Sequence, residues 1–218
     1  MVLQRIEKIE KTGYQYHDLG LIEYDQAYVY QQECVANVLQ GGEEQVILCE
    51  HHPVITLGRL SDKRNILGNQ EDMKRLGVIM RPVDRGGDVT LHAPGQLVAY
   101  PILNLNRRGR DLHKYLHHLE EVAIALLSEF GILGRRHPTQ TGVWVKEKKI
   151  ASLGIGVRKW VAYHGLAVNV HTDLKLFSLI KPCGLNVSMT SMAQEMKVPV
   201  EMAAVKKALK ECLKRILG

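Results

Sequence analysis

Residues 85–101 read RGGDVTLHAPGQLVAYP, and this stretch gathers more backbone-special residues and more polar commitment than any other in the chain. Gly86 and Gly87 follow Arg85, and Gly95 follows Pro94, so the backbone can turn tightly and approach a ligand at both ends. Between and beyond these glycines Val89, Leu91, Leu97 and Val98 read as strand, with His92 and Gln96 at the bend. The result is a strand-turn-strand with a polar tip. On the local pattern alone, two readings stand side by side: a β-hairpin whose glycines serve only the turn, or a binding loop.

Working outward, residues 78–83 form a strand that leads into the loop, and residues 46–58, VILCEHHPVITLG, form a buried strand interrupted near Pro53. A polar loop from Gly58 and Arg59 to Asn69 is followed by a short helix that ends at Gly77. Earlier still, Ile22, Val29, Val35, Val38 and Leu39 recur at helical spacing before a stop at Gly41 and Gly42. Downstream, Asp111 is placed to cap an amphipathic helix carrying Leu112, Leu116, Leu119, Ala123, Leu126 and Phe130. Residues 142–170 are rich in Val and Ile, with polar turns at 146–148 and 158–159, and read as a three-stranded meander. Residues 173–192 are loop-like around Pro182, and a closing helix runs over 199–217. Strands in the middle with helices around them give an α+β class, and no repeat or linker divides residues 1–218, so one domain is expected.

The composition fits a globular protein: 218 residues, 45% apolar, 24% charged. No apolar run approaches a membrane span, and MVLQRIEKIEKTG lacks the pattern of a secretory leader, so no membrane is expected and a cytoplasmic location is. A net charge of +6 and a pI near 9.1 favour an acidic partner. The cations are dispersed, and Phe and Trp number two each, so stacking platforms for nucleic acid are scarce and an acidic protein fits at least as well.

Reactive chemistry narrows to few residues. Cys34 and Cys212 fall in helical patterns and Cys49 in an apolar strand, ordinary places for buried thiols. Cys183 differs, lying between Pro182 and Gly184 in a loop. A free thiol with a pKa of about 8.5 needs a nearby cation or base to act as a nucleophile, and a lone loop cysteine is more often inert than catalytic. Lys149 closes the 146–149 turn and enters the strand of residues 150–156, where an ammonium could stabilise a thiolate; a solvated turn lysine is the plain alternative. His92 and His164 read either as hydrogen-bonding wall residues or as satisfied core histidines. His113, His117 and His118 offer two imidazoles on one helical face without a third ligand, so no metal site is expected. Gly154-Ile155-Gly156 is half a dinucleotide fingerprint inside a strand meander, and carries no weight.

Four blocks in this order, RGGDVTLHAPGQLVAYPI at 85–102, KKIASLG at 148–154, YHGLAVNV at 163–170 and IKPCGL at 180–185, resemble the octanoyltransferase family of lipoate biosynthesis, also called lipoate-protein ligase B. TLGRLSDKRNIL at 56–67 is similar to the family's upstream loop, and the resemblance spans about residues 18–192. It implies the biotin/lipoate protein ligase fold, a mixed sheet with flanking helices. It also implies Cys183 as the nucleophile that becomes an acyl-thioester and Lys149 as the residue that lowers its pKa. The acyl-substrate pocket would be lined by Arg85, Gly86, Gly87, Asp88, Val89, Thr90, Leu91 and His92, by Ser152, Leu153 and Gly154, and by His164, Gly165 and Leu166, with a tunnel wall at Leu91, Val98 and Leu153. The family often has an aromatic residue where this chain has Leu91 and a glycine where it has Ala93, departures that bear on pocket shape.

The implied partners are octanoyl-acyl carrier protein as donor and, as acceptors, lipoyl domains of 2-oxoacid dehydrogenase acyltransferase subunits and the glycine cleavage H protein. No cofactor is implied. Exchange of a thioester for an amide runs downhill without ATP, and backbone N–H groups near 183–184 or 153–154 are candidate oxyanion donors. Two other readings remain: an ATP-dependent lipoate or biotin ligase on the same fold, which has no use for Cys183, and a noncatalytic module that binds acyl carrier protein.

Overall fold

The computed structural model describes residues 13–182 and 187–218. Among these, nine strands form two sheets: β1 Gln15–Ile22, β2 Gln45–His51, β3 Val54–Leu57, β4 Ile79–Pro82, β5 Val89–His92, β6 Gln96–Asn104, β7 Val143–Val145, β8 Lys148–Arg158 and β9 Val161–Asn169. The large sheet has the order β1-β2-β6-β9-β8-β7, with β1 parallel to β2 and all other neighbours antiparallel. The small sheet has the order β4-β3-β5. Helices α1 Tyr24–Leu39, α2 Gln70–Arg75, α3 Leu112–Glu129, α4 Met192–Met196 and α5 Met202–Leu217 surround them. The α+β expectation holds, and the meander is β7-β8-β9.

Strict alternation builds the two faces of the large sheet. Val46 and Leu48 of β2 and Leu97 and Ala99 of β6 face one way and meet Leu119, Val122 and Leu126 of α3 and Val205, Leu209 and Leu213 of α5. The intervening Ile47, Cys49, Val98 and Tyr100 face the other way, under Cys34, Val35 and Val38 of α1. This is the period of two that a sheet covered on both faces requires. Each fully buried aliphatic side chain contributes roughly 2 kcal/mol of transfer free energy. Asp111 caps α3 as expected, accepting from Lys114 N–H at 2.9 Å.

Two expectations need correction, and one open alternative is decided. Val29 of α1 is exposed; the buried stripe is Ala27, Gln31, Cys34, Val35 and Val38, at steps of three and four that exclude Val29. The segment expected to be loop over 173–192 holds a 3-10 helix at Leu174–Leu179 and the start of α4. Most consequentially, β5 and β6 do not form a hairpin. β5 pairs with β3 in the small sheet, while β6 lies between β2 and β9 in the large one. The turn at 93–95 therefore hands the chain from one sheet to the other. Gly95, at φ +82, donates its N–H to Glu50 Oε2 at 2.8 Å and lies so close to His171 that a Cβ would stand 2.8 Å from that residue's carbonyl carbon. No helix among the described residues is long and apolar enough to cross a membrane.

Candidate active site

Where the small sheet leans on the large one, a narrow cleft opens between β5, β6, β8, β9 and the start of α1. Its wall contains Arg85, Gly87, Asp88, Val89, Thr90, His92, Ser152, Leu153, Gly154, His164, Gly165 and Leu166. Gly86 and Leu91 do not line it. Leu91, expected in the tunnel wall, points instead into the small sheet's own core with Ile55, Met73 and Phe177. The reason is pleat parity: Thr90 and His92 take the cavity face of β5 at that end, and Leu91 between them takes the opposite one. Tyr24, Val98, Tyr100 and Ala167 complete the lining. Gly87, Asp88, Thr90 and Ser152–Gly154 are partly or fully exposed and form the mouth, whereas Tyr24, His92, Tyr100 and His164–Ala167 are buried and form the deep end.

The glycines of residues 85–87 allow the loop to sit on β8. Gly86 N–H donates to Ile155 O at 2.8 Å, and a Cβ on Gly58 would lie 2.3 Å from Gly87 O. Arg85 is buried and works as a clamp: its Nη2 donates to Thr56 O and Oγ1, both at 2.9 Å, and its Nη1 to Gly86 O at 2.9 Å. The Asp88 carboxylate anchors the neighbouring loop, accepting from Asp62 N–H at 3.0 Å and from Asn65 Nδ2. Since Ile155 directs its carbonyl away from β9 towards Gly86, strand parity directs the Leu153 N–H towards the same open edge.

Histidines set the polarity of the deep end. His92 Nδ1–H donates to Gln96 Oε1 at 2.6 Å, Gln96 Nε2 donates to Asn169 Oδ1 at 2.9 Å, and Asn169 Nδ2 donates to Thr190 O at 3.0 Å. His51, buried behind the lining, donates Nδ1–H to Ile22 O at 3.1 Å and accepts at Nε2 from the Tyr100 hydroxyl at 2.8 Å. Burial pushes His92 down to about 3 and His51 to about 4, so both are neutral at pH 7. His164 has φ +56 and lies where the β6–β9 pairing is interrupted, its N–H donating to Gln31 Oε1 at 3.0 Å. Its Nε2–H donates to Asp84 Oδ1 at 2.9 Å, and the Asp84 carboxylate also accepts from the Tyr163 hydroxyl. His164, and after it Tyr163, holds the Asp84 carboxyl well below the usual carboxylate range; burial lowers His164 itself.

Lys149 lies three residues along β8 from Ser152, about 10 Å at strand rise, and is only 2% exposed. Its Nζ donates to Thr141 O at 3.1 Å and stands 4.9 Å from the centre of the Trp144 ring. Its main chain is paired with the segment that follows Cys183: Lys149 N–H donates to Ser188 O, and Thr190 N–H donates to Lys149 O, both at 2.9 Å. Upstream, Lys181 N–H donates to Asn65 O at 2.7 Å. Cys183 itself lies outside the described residues. The thiols of Cys34, Cys49 and Cys212 are buried, and burial raises all three, to about 12 for Cys34. Among the described residues no cluster of His, Cys, Asp and Glu is placed to hold a metal ion, and His117 is engaged with Glu120.

Sequence reasoning did not single out Tyr24, Tyr100, Asp84, Asn169 or Trp144. The partners that bring Tyr24, Tyr100, Asp84 and Asn169 into the site lie far along the chain, as Asp84 and His164 do, so local patterns carried no signal for them. Tyr163–Val170, quoted only as a block, was the nearest pointer.

The model of the lipoyl protein ligase A/B catalytic domain matches residues 23–214. An octanoyltransferase of Geotalea uraniireducens is 46% identical over 191 residues, covering 87% of this chain and 86% of that protein. In structure the chain is similar to the bipartite lipoate protein ligase of Thermoplasma acidophilum, with TM-score 0.71, 18% identity and coverage of 91% and 82% of the two chains. It is also similar to the biotin protein ligase of Aquifex aeolicus solved with biotin and ATP, with TM-score 0.55, 14% identity and coverage of 94% and 70%.

Proposed function

Since this chain belongs to the octanoyltransferase family, an acyltransferase family built on the lipoyl protein ligase A/B catalytic fold, we propose that it moves an octanoyl group from octanoyl-acyl carrier protein to a lysine amine of a lipoyl domain. Residues 1–218 act as one catalytic domain, and the acceptors are lipoyl domains of 2-oxoacid dehydrogenase complexes and the glycine cleavage H protein. The Cys183 thiolate attacks the thioester carbonyl, the carbonyl–sulfur bond to the carrier breaks, and the carrier thiolate leaves and takes its proton from the Lys149 ammonium. The acceptor amine then attacks the Cys183 thioester, gives up a proton to the now neutral Lys149, and expels the Cys183 thiolate as the amide forms, which restores the ammonium–thiolate pair.

The observation that carries this reading is Lys149. A buried amine held by a carbonyl and an aromatic face, with its main chain bonded to the segment five to seven residues past Cys183, supports the reading of Lys149 as partner of the Cys183 thiolate. The cavity alongside supplies a mouth with an available Leu153 N–H for the oxyanion and an apolar wall of Val98, Leu153, Leu166 and Ala167 for the acyl chain.

Intact-mass analysis after incubation with octanoyl-acyl carrier protein, without ATP or acceptor, is expected to show a hydroxylamine-labile octanoyl adduct. Absence of the adduct, with transfer appearing only when ATP and free octanoate are supplied, would point to the ATP-dependent ligase instead.

The deep end also sets an expectation for chain length. The Tyr24 ring stacks on His92 at 6.4 Å and meets His51 edge-on at 5.4 Å, so it closes the cavity where an acyl tail would end. Tyr24→Ala is expected to raise the dodecanoyl-to-octanoyl ratio of kcat/KM by about tenfold, since two or more extra methylenes gain burial. An unchanged ratio in competition assays would place the acyl tail elsewhere.

A further inference from the structure

Behind Lys149 stands a buried carboxylate that the proposed chemistry does not use. Glu120 of α3 is 4% exposed. Its Oε1 accepts from Gly142 N–H at 2.9 Å, and its Oε2 accepts from Arg136 Nε at 3.2 Å and His117 Nδ1 at 3.1 Å. Arg136 is itself fixed to α3, donating through Nη2 to His117 O at 3.0 Å and Glu121 Oε2 at 2.7 Å. One carboxylate therefore grips both ends of the segment from Arg136 to Gly142.

The Gly142 N–H and the Thr141 C=O belong to the same peptide group. Glu120 accepts from one end of that group, and the other end accepts from Lys149 Nζ. Because a peptide is planar and rigid, fixing its N–H also fixes the direction of its carbonyl. A carboxylate on the N–H further polarises the carbonyl and strengthens its bond to the ammonium. Gly142 has φ +135, and a Cβ there would stand 2.6 Å from Lys149 Cε and 2.7 Å from Ala151 O, so the peptide approaches as closely as it does only because the residue is glycine.

We propose that Glu120 is a positioning residue for octanoyl transfer, holding Lys149 in its working orientation through the Thr141–Gly142 peptide. The inference rests on the reading of Lys149 given above. A side chain that served only to pack α3 would be replaceable by any residue of similar size; this one is not, because its acceptor must reach the Gly142 N–H.

The test is steady-state transfer of octanoyl from the carrier to a lipoyl domain by Glu120→Ala, Glu120→Asp, Glu120→Gln, Lys149→Met and the Glu120→Ala/Lys149→Met double variant, each checked for folding by thermal melting. Glu120→Gln keeps an oxygen on Gly142 and is expected to stay within about threefold of the wild-type kcat, whereas Glu120→Asp, withdrawn by one methylene, and Glu120→Ala are expected to lose about tenfold or more with KM little changed. In the Lys149→Met background, Glu120→Ala is expected to add no further loss. If Glu120→Ala does not fold, the Asp and Gln variants carry the comparison. Wild-type kcat in Glu120→Asp, equal loss in Glu120→Gln and Glu120→Asp, an effect confined to KM, or a full additional loss in the double variant would overturn the inference alone. Wild-type activity in Lys149→Met would overturn the reading of Lys149 and this inference with it.

Discussion

Cys183→Ala is expected to abolish octanoyl transfer and Lys149→Met to lower kcat/KM by about three orders of magnitude, a size typical of removing a positioned acid-base group and thiolate partner together. The two losses have different causes. In the proposed mechanism no atom other than the Cys183 sulfur holds the acyl group between partners. Lys149→Met keeps the volume and the unbranched shape in a fully buried slot, so the β8 backbone and its bonds to Ser188 and Thr190 are retained while the charge is removed. It leaves the Thr141 carbonyl without its donor, a cost of about 1–3 kcal/mol in stability, which a thermal melt separates from the catalytic loss. The decisive measurement is the rate of Cys183 alkylation by iodoacetamide against pH: the inflection is expected to move upward in Lys149→Met, because the thiolate has lost its cation. Full transfer activity in that variant, or an unmoved inflection, would contradict the assigned role.

Acidification from pH 7 to pH 4 is expected to destabilise the fold strongly, through the histidines at the deep end of the cavity. An unfolded imidazole titrates near 6.5, whereas His51 and His92 are held down to about 4 and about 3 and His164 is also lowered, chiefly by burial. Between these values the unfolded chain binds protons that the native state refuses, so stability present above about pH 6.5 is lost as pH falls towards the native values. One such proton gives a slope of about 1.4 kcal/mol per pH unit, so His51 and His92 together give up to about 3 kcal/mol per unit between pH 6 and pH 4. Asp84 does not offset this. Its depressed carboxyl adds stability above the unfolded carboxylate value near 3.9 and loses it only as pH falls further. Urea unfolding at pH 7 and pH 5 reads the difference; coincident midpoints would show that these imidazoles are not buried neutral in the native state. His92→Gln is expected to flatten the slope by about one proton's share.

Much of this architecture was legible along the chain. The Asp111 cap, the stripe of α3, the alternation in β7 to β9 and the α5 helix follow from periodicity and capping, which act over three or four residues. The resemblance in the four sequence blocks located nearly all of the cavity wall. The partition of β5 and β6 into two sheets was not legible, because a glycine turn looks alike whether its strands pair with each other or with others. Val29 misled because apolar spacing fixes a helix but not which of several stripes meets a neighbour. Tyr24, Asp84 and the pairing of Asp84 with His164 had no local mark at all.

The sequence by itself determined the class of fold, the position of most strands and helices though not of β1 or α4, and the family of the chemistry, since these rest on short-range periodicity and on ordered blocks of residues. Only the tertiary structure decided that Leu91 turns away from the cavity, that Tyr24 and His92 close it, and that one peptide group joins Glu120 on α3 to Lys149 on β8. Those arrangements depend on which surfaces pack across long separations in the chain, where hydrogen-bond reach and exclusion of water, rather than spacing along the sequence, choose the partners.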